Sequence, residues 1–230
     1  RLRSHPCLLI WCGGNELQDM PAPHPQPTKP AGLDHPLLAR LEQIVRDLDP
    51  GRRFVPSTSS GPRFSAHPDD FGKGLHWDVH GPWRCDRVPT NPWQDYFNRD
   101  DALFRSEMGH PGAQGADLMR RALGDCDFFD ARRQNPFWGR FGWWFDVDKF
   151  LEQWDGERPT IEDYVEWSQS RQAEVLAFAV DAVKRRFPRC GGLILWMGHD
   201  SYPCPVNTSI VDYNGNPKPV CQALEPILKS

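Results

Sequence analysis

Long apolar runs are missing from this chain. No stretch reaches the roughly 20 residues that a membrane span requires, so nothing in the sequence calls for a bilayer. There is no block of Lys or Arg either, and the formal net charge is -4, which removes the usual electrostatic reason to expect nucleic acid. The seven cysteines (Cys7, Cys12, Cys85, Cys126, Cys190, Cys204, Cys221) contain no C-x-x-C pair. Their odd number and wide spacing fit small buried thiols better than a disulfide framework or a zinc site, and favour a reducing compartment. Neither G-x-G-x-x-G nor G-x-x-x-x-G-K-[ST] occurs, so a nucleotide-binding fold lacks its usual signature. No cofactor is implied.

What is present is a globular composition: 230 residues, 39% hydrophobic and 25% charged, long enough for one large domain or two small ones. Ten tryptophans stand out, since Trp fills cores but also offers flat apolar faces to sugars and other rings. The 23 prolines imply long ordered loops, the densest being Pro21 to Pro30. Asn207-Thr208-Ser209 is a formal glycosylation sequon. The chain opens on RLRSHP without an initiator Met, which reads as the tail of a helix entering a strand. The expectation is that an N-terminal part of the same polypeptide precedes it.

Leu8 to Cys12 is nearly continuous in apolar residues, as in a strand buried on both faces of a parallel sheet. A helix is expected from Asp34 and Pro36, with Leu37, Leu38, Leu41, Ile44, Val45 and Leu48 on one face and Asp49-Pro50-Gly51 as its stop. Strands are expected at Arg53–Pro56, Leu75–Gly81 and Leu103–Gly109, then a helix near Ala116–Leu123. A long helix runs from Thr160 to about Phe187, opened by a Thr160/Asp163 capping pair and closed by Pro188. Gly191 to Asp200 supplies a fifth strand, and Pro219 to Leu228 a final helical segment broken at Pro226.

Short apolar strands alternating with amphipathic helices mean an α/β fold with a parallel sheet. Polar residues gather where the strands end: Asn15-Glu16, Ser57-Thr58-Ser59, Asp78 and His80, Glu107, His199-Asp200. In an α/β barrel those ends form the active-site face. Five strand–helix units cannot close eight strands, so the pattern is that of the second half of a barrel.

Glu16 and Glu107 each follow an apolar strand and each lies near glycine. Two carboxyls converging over a barrel mouth are what glycoside hydrolysis needs: one protonates the leaving oxygen, the other attacks or activates water. The bland alternative is that each merely caps a helix or pairs with an Arg, which is harder to hold for two such residues, one of them flanked by Asn15.

WCGGNE (Trp11 to Glu16) and FRSEMG (Phe104 to Gly109) resemble the two catalytic signatures of glycoside hydrolase family 2. That family has (β/α)8 TIM-barrel catalytic domains, with Asn-Glu ending the fourth strand and Ser/Thr-Glu-aromatic/apolar-Gly ending the seventh. GGLILWMGHDSYPCPVNTSIVDYNGNPKPV (Gly191 to Val220) is similar to its last strand, above all in β-mannosidase-like members. WSQSRQAEVLAFAVDAVKRRFPRCGG (Trp167 to Gly192) is similar to the helix leading into that strand. The resemblance implies that residues 1–230 are the C-terminal portion of such a barrel, roughly strands 4 to 8.

The resemblance further implies Glu16 as general acid/base, starting protonated, and Glu107 as ionised nucleophile. Asn15 would bond the sugar 2-hydroxyl, and Trp77, His80, Trp196 and Asp200 would contact substrate. The implied activity is exo-acting, retaining hydrolysis of β-glycosides, β-mannosides first, with β-galactosidase, β-glucuronidase or exo-glucosaminidase specificity as alternatives. The chain departs from the mannosidase pattern at Gly198-His199-Asp200-Ser201-Tyr202-Pro203, where Asn-Asp-x-Trp-Pro is usual. It departs again at Val79-His80-Gly81, where a Trp normally precedes the His-Gly step. Both lie where sugar and leaving group should sit.

A rival chemistry comes from His76-Trp77-Asp78-Val79-His80. In a strand His76, Asp78 and His80 share a face, and two imidazoles with a carboxylate could hold Zn²⁺ in a metal-dependent hydrolase. A non-catalytic carbohydrate-binding relic is the third class, without positive support, since both glutamates are present. Without preceding strands the chain is expected to expose sheet edges and to be poorly active alone. The aromatic segment Phe137 to Trp154 is expected either to overhang the barrel mouth or to form a satellite cluster.

Overall fold

Proline lacks the backbone N–H that the first turn of a helix leaves unbonded anyway, so Pro36 marks a natural helix start. A computed structural model of the chain, describing residues 2–19, 29–129, 136 and 143–230, begins α1 there. α1 spans Pro36–Leu48 and closes through the Asp49 N–H on Val45 O at 2.7 Å. The chain divides into two units. The first comprises Arg1–Gly81, Pro89–Glu107 and Arg186–Ile194; the second comprises Pro82–Val88, Met108–Arg185 and Leu195–Ser230.

In the first unit β1 (Ile10–Cys12), β2 (Gln18–Asp19), β3 (Lys29–Pro30), β4 (Arg53–Val55), β5 (Gly61–Pro62), β6 (His76–His80) and the start of β7 (Arg105–Met108) follow in order. A short helix, α2 (Gln94–Arg99), precedes β7. β1 and β4 are parallel, with Trp11 opposite Phe54, and β6 and β7 are parallel. β2–β3 and β5–β6 are antiparallel. Instead of one all-parallel sheet, β1–β4 and β2–β3 are separate two-stranded pairs, β5, β6 and β7 lie in another sheet that is mixed, and no closed barrel forms among the described residues.

Within Leu8 to Cys12 only Ile10–Cys12 is strand, and it is not a buried one. β1 is bonded along one edge by β4, and no strand lies on its other edge among the described residues. Leu9 and Ile10 are consequently 76% and 45% exposed. The apolar face of α1 is covered unevenly: Leu38 is buried, Leu37 and Leu48 are exposed.

The second unit holds β8 (Gly112–Ala113), α3 (Ala116–Leu123), α4 (Val147–Gln153), α5 (Ile161–Arg185), the end of β9 (Leu193–Leu195), β10 (Val206–Asn207) and α6 (Pro219–Lys229). The Thr160/Asp163 capping pair forms: Thr160 N–H donates to Asp163 at 2.7 Å, and Asp163 N–H to Thr160 Oγ1 at 3.2 Å. Pro226 does not break α6, which runs on to Lys229 packed against α5; a missing N–H late in a helix costs one bond to the preceding turn, not the helix. The Pro21 to Pro30 loop lies largely outside the described residues, as does Phe137 to Gly142 of the aromatic segment. Its described part forms a packing cluster: Phe145, Val147 and Phe150 are buried with Met119, Phe128 and Tyr164.

All seven cysteines are free, but only Cys85, Cys190 and Cys204 are buried, while Cys7 and Cys12 are exposed. The sequon Asn207 is 6% exposed, with its amide donating to Asp200 at 3.2 Å, so its nitrogen is not presented for modification.

His110 in this unit has a pH consequence. It is 2% exposed, its Nδ1 accepts the Cys85 N–H, and Arg171, Asp86, Arg84 and Lys149 are the charges near it. Burial, with Arg171 next, pushes its pKa from 6.5 down to about 3. The unfolded chain binds this proton first, so His110's contribution is intact above pH 6.5 and is lost as pH falls towards 3. The loss runs at about 1.4 kcal/mol per pH unit. His110→Asn, whose amide oxygen can still accept from Cys85, is expected to flatten the fall in urea-measured stability between pH 6 and 4. Equal slopes in the two proteins would contradict this.

Candidate active site

The turn after β1 is set by a close approach. A Cβ on Gly13 would meet Pro56 O at 2.6 Å, so only glycine fits there. Bonding to the β4 side then continues past the strand: Thr58 N–H donates to Gly14 O at 3.0 Å and Glu16 N–H to Thr58 O at 2.6 Å. Ser57 Oγ accepts the Leu17 N–H at 3.0 Å, and Thr58 Oγ1 donates to Asn15 Oδ1 at 3.2 Å. Glu16 itself, not a glycine, occupies the left-handed region at φ 52°. Such a conformation costs a non-glycine residue on the order of 1–3 kcal/mol and persists only where neighbours impose it. Here those neighbours are Ser57 and Thr58, and the result aims the Glu16 carboxyl at β6.

Glu107 reaches the same place through a break in register. Val79 pairs with Arg105 but His80 pairs with Glu107, so Ser106 is an extra residue in β7. An extra residue of this kind re-aims the side chain that follows it. Asp78 stabilises the irregularity: it accepts from Ser106 N–H at 3.2 Å and from Ser106 Oγ, while Ser60 N–H donates to its other oxygen at 2.9 Å. Gly81 N–H bonds Glu107 O at 2.7 Å.

His80 lies between the two glutamates. Its Nδ1 is 2.9 Å from Glu16 Oε1 and 3.5 Å from Glu107 Oε2. One oxygen of each carboxyl and the His80 nitrogen all fall within 4.8 Å of one another. The His80 and Glu107 side chains are 1% and 12% exposed, and Glu16 is 38% exposed, so the cluster opens to solvent on the Glu16 side. Asn15 adjoins it through the backbone.

His76, Asp78 and His80 are all buried while Trp77 is 53% exposed, as strand alternation requires for the first three positions. They do not gather around one point. His76 Nδ1 lies 2.5 Å from Asp101, its Nε2 accepts the His67 N–H, and Asp78 is committed to Ser60 and Ser106. Among the described residues the one set of three potential ligands is Glu16, His80 and Glu107. Trp77 donates its indole N–H to Gly74 O and is not among the groups brought together. Trp196 and Asp200 belong to the second unit, where Trp196 lies 5.4 Å from the Trp144 ring. Asp200 is 1% exposed, accepting from Gln114, Asn207 and Ser209. Lys218, whose pKa burial lowers to about 8, donates to Ser209 in the same network. The Asp78–Ser106 lock and the bridging position of His80 were not foreseen. The adjacency of Ser106 to Glu107 was a visible signal, but a register break is not readable from spacing.

No family model matches the chain. Curated relatives do. "Beta-mannosidase B" of Aspergillus flavus is 36% identical over 249 residues, covering 100% of this chain and 28% of its own length. By sequence the chain is β-mannosidase-like. "Beta-mannosidase B" of Aspergillus fumigatus is 25% identical over 250 residues, again covering 28% of its own length. The β-mannosidase-like chain thus spans under a third of each of these relatives. Its fold is also similar to that of the β-D-mannosidase from Dictyoglomus thermophilum, with TM-score 0.68 at 18% identity over 98% of this chain and 27% of that one. These relatives agree with the resemblance carried by WCGGNE and FRSEMG.

Proposed function

We propose that this chain supplies the two catalytic carboxyls of an exo-acting, retaining glycoside hydrolase that removes terminal β-mannosyl groups. In this proposal the described strands correspond to strands 4 to 8 of a (β/α)8 barrel. The observation that carries it is the approach of Glu16 and Glu107 to within 4.8 Å across His80. Retaining chemistry needs carboxyls about 5–5.5 Å apart, whereas inverting enzymes hold them roughly 6.5–9.5 Å apart to admit a water. The near approach of one oxygen from each carboxyl supports the first arrangement.

Glu107, the less exposed of the pair, attacks the anomeric carbon as its carboxylate. The bond to the leaving oxygen breaks, and Glu16, the more exposed, gives that oxygen its proton. Water then enters, Glu16 takes a proton from it, and the ester to Glu107 is cleaved with a second inversion. Asn15, beside Glu16, bonds the sugar 2-hydroxyl. Support for mannose comes from the names of the relatives. Committing His76 and Asp78 to protein partners leaves the zinc alternative without its ligand set.

A panel of aryl β-mannoside, β-galactoside, β-glucuronide and β-glucosaminide substrates, assayed on the full-length polypeptide with ¹H NMR of the first-formed sugar, tests this. The β-mannoside is expected to be turned over fastest, and its product to appear first as the β-anomer. An α-anomer at early times would sink the retaining mechanism, and preference for another sugar would replace the specificity.

A further inference from the structure

We propose that His80 is a positioning residue whose single Nδ1–H pairs with whichever of Glu16 and Glu107 is ionised, following the negative charge between them during turnover. This rests on the double displacement proposed above. The observation is that one imidazole nitrogen is within reach of both carboxyls, at 2.9 Å from Glu16 and 3.5 Å from Glu107.

The charge bookkeeping requires one donor, not two. Before reaction Glu107 is the carboxylate and Glu16 the acid. When Glu107 forms its ester with the anomeric carbon and Glu16 releases its proton to the leaving oxygen, the negative charge passes from Glu107 to Glu16. When water's proton returns to Glu16 and the ester breaks, the charge passes back. At each stage one carboxylate needs a donor and the other group does not. A donor within reach of both, here bonded to Glu16 at 2.9 Å with Glu107 at 3.5 Å, serves both without itself gaining or losing a proton.

The ring is placed for this. His80 N–H bonds Phe64 O at 2.9 Å, the imidazole lies 5.5 Å from the Phe64 ring, and the next residue's N–H is tied to Glu107 O. The side chain is 1% exposed. It is therefore built into the strand rather than offered to a sugar, and its effect is exerted on the two glutamates.

Asparagine and glutamine separate the two ring nitrogens. The amide nitrogen of His80→Asn stands where Nδ1 stands, and that of His80→Gln where Nε2 stands. In the full-length polypeptide, kcat on an aryl β-mannoside is expected to fall about 10²–10³-fold in His80→Leu and His80→Gln, as when a preorganised donor is removed. In His80→Asn the fall is expected to stay within about tenfold, with KM changed less than about threefold in all three. Equal losses in Asn and Gln overturn the proposal, because both bury similar polarity and a merely structural histidine would not distinguish them. A raised KM at unchanged kcat overturns it too, making His80 a substrate contact. Should the variants fail to fold, the wild type trapped as a 2-fluoroglycosyl ester on Glu107 gives the second measurement. Nδ1 is then expected to keep Glu16 at the ordinary hydrogen-bond distance and to move beyond its present 3.5 Å from Glu107; an unchanged approach to both carboxyls, or retention of the Glu107 contact alone, overturns it. A wild type that hydrolyses no glycoside removes the proposed function and this inference together, whereas an active wild type with indifferent His80 variants removes only the inference.

Discussion

Glu107→Gln in the full-length polypeptide is expected to lower kcat on an aryl β-mannoside by about 10⁴-fold or more, the scale on which loss of an enzymatic nucleophile is felt. The amide is nearly the same size as the carboxyl, and it remains in β7 opposite His80, so the fold is expected to survive. On the proposed mechanism what disappears is the nucleophile: a neutral amide oxygen does not form the glycosyl ester. The companion variant Glu107→Ala leaves a space at a side chain that is 12% exposed, and a small anion can occupy it. With azide, the C1–N bond forms from the vacated face as the C1–O bond breaks, and Glu16 protonates the departing phenol. One displacement gives a product of inverted configuration, an α-glycosyl azide. If the roles of the glutamates were exchanged, the same variant would give a β-azide from a glycosyl-enzyme on Glu16. Turnover near wild type in Glu107→Gln would end the nucleophile assignment.

Arg105→Met is expected to cost about 3–5 kcal/mol of stability, because it strips one partner from a buried charge. Arg105 begins β7 and is fully buried, with Nε 3.1 Å and Nη2 2.8 Å from Asp100 and a bond from Nη2 to Tyr96 OH at 3.2 Å. Its Nη1 donates to Gly81 O, the carbonyl directly after His80. Burial opposes the charge, yet Asp100 and Tyr96 hold the guanidinium pKa above its ordinary value. Methionine keeps much of the volume but leaves Gly81 O without this donor and Asp100 dependent on Arg186, 2.6 Å away. Since Gly81 O sits at the junction of His80 and Glu107, the loss is expected to be local. Hydrogen exchange in β6 and β7 should open by that amount, and activity should fall with it. A change below about 1 kcal/mol in those amides would show that the ion pair carries little.

Much of the secondary structure was legible because its signals are local. α1 begins at Pro36 as the missing N–H predicts, and Arg53–Val55, His76–His80 and Arg105–Met108 fall inside the expected strands. α3 matches Ala116–Leu123, since a stripe at helical spacing needs no distant partner to be recognised. Burial was misjudged where it depends on what lies across the sheet. An apolar run such as Leu8 to Cys12 announces that it prefers cover but not whether cover is provided, and Leu9 stays exposed. The His76, Asp78 and His80 pattern was read as possible ligation because residue types state what a side chain can bind. Which partner holds each side chain depends on Asp101, Ser60 and Ser106, residues distant from them in the sequence but in hydrogen-bond contact in the fold.

By itself the sequence determined the secondary-structure alternation, the family resemblance, and the two glutamates singled out at the ends of apolar strands. Those depend on residue type and short-range spacing. Only the tertiary structure decided that Glu16 takes a left-handed turn imposed by Ser57 and Thr58. It also decided that Ser106 shifts the register, and that one nitrogen of His80 stands between carboxyls 91 positions apart in the numbering. Hydrogen bonds between strands set those distances, and they form between residues that no local pattern connects.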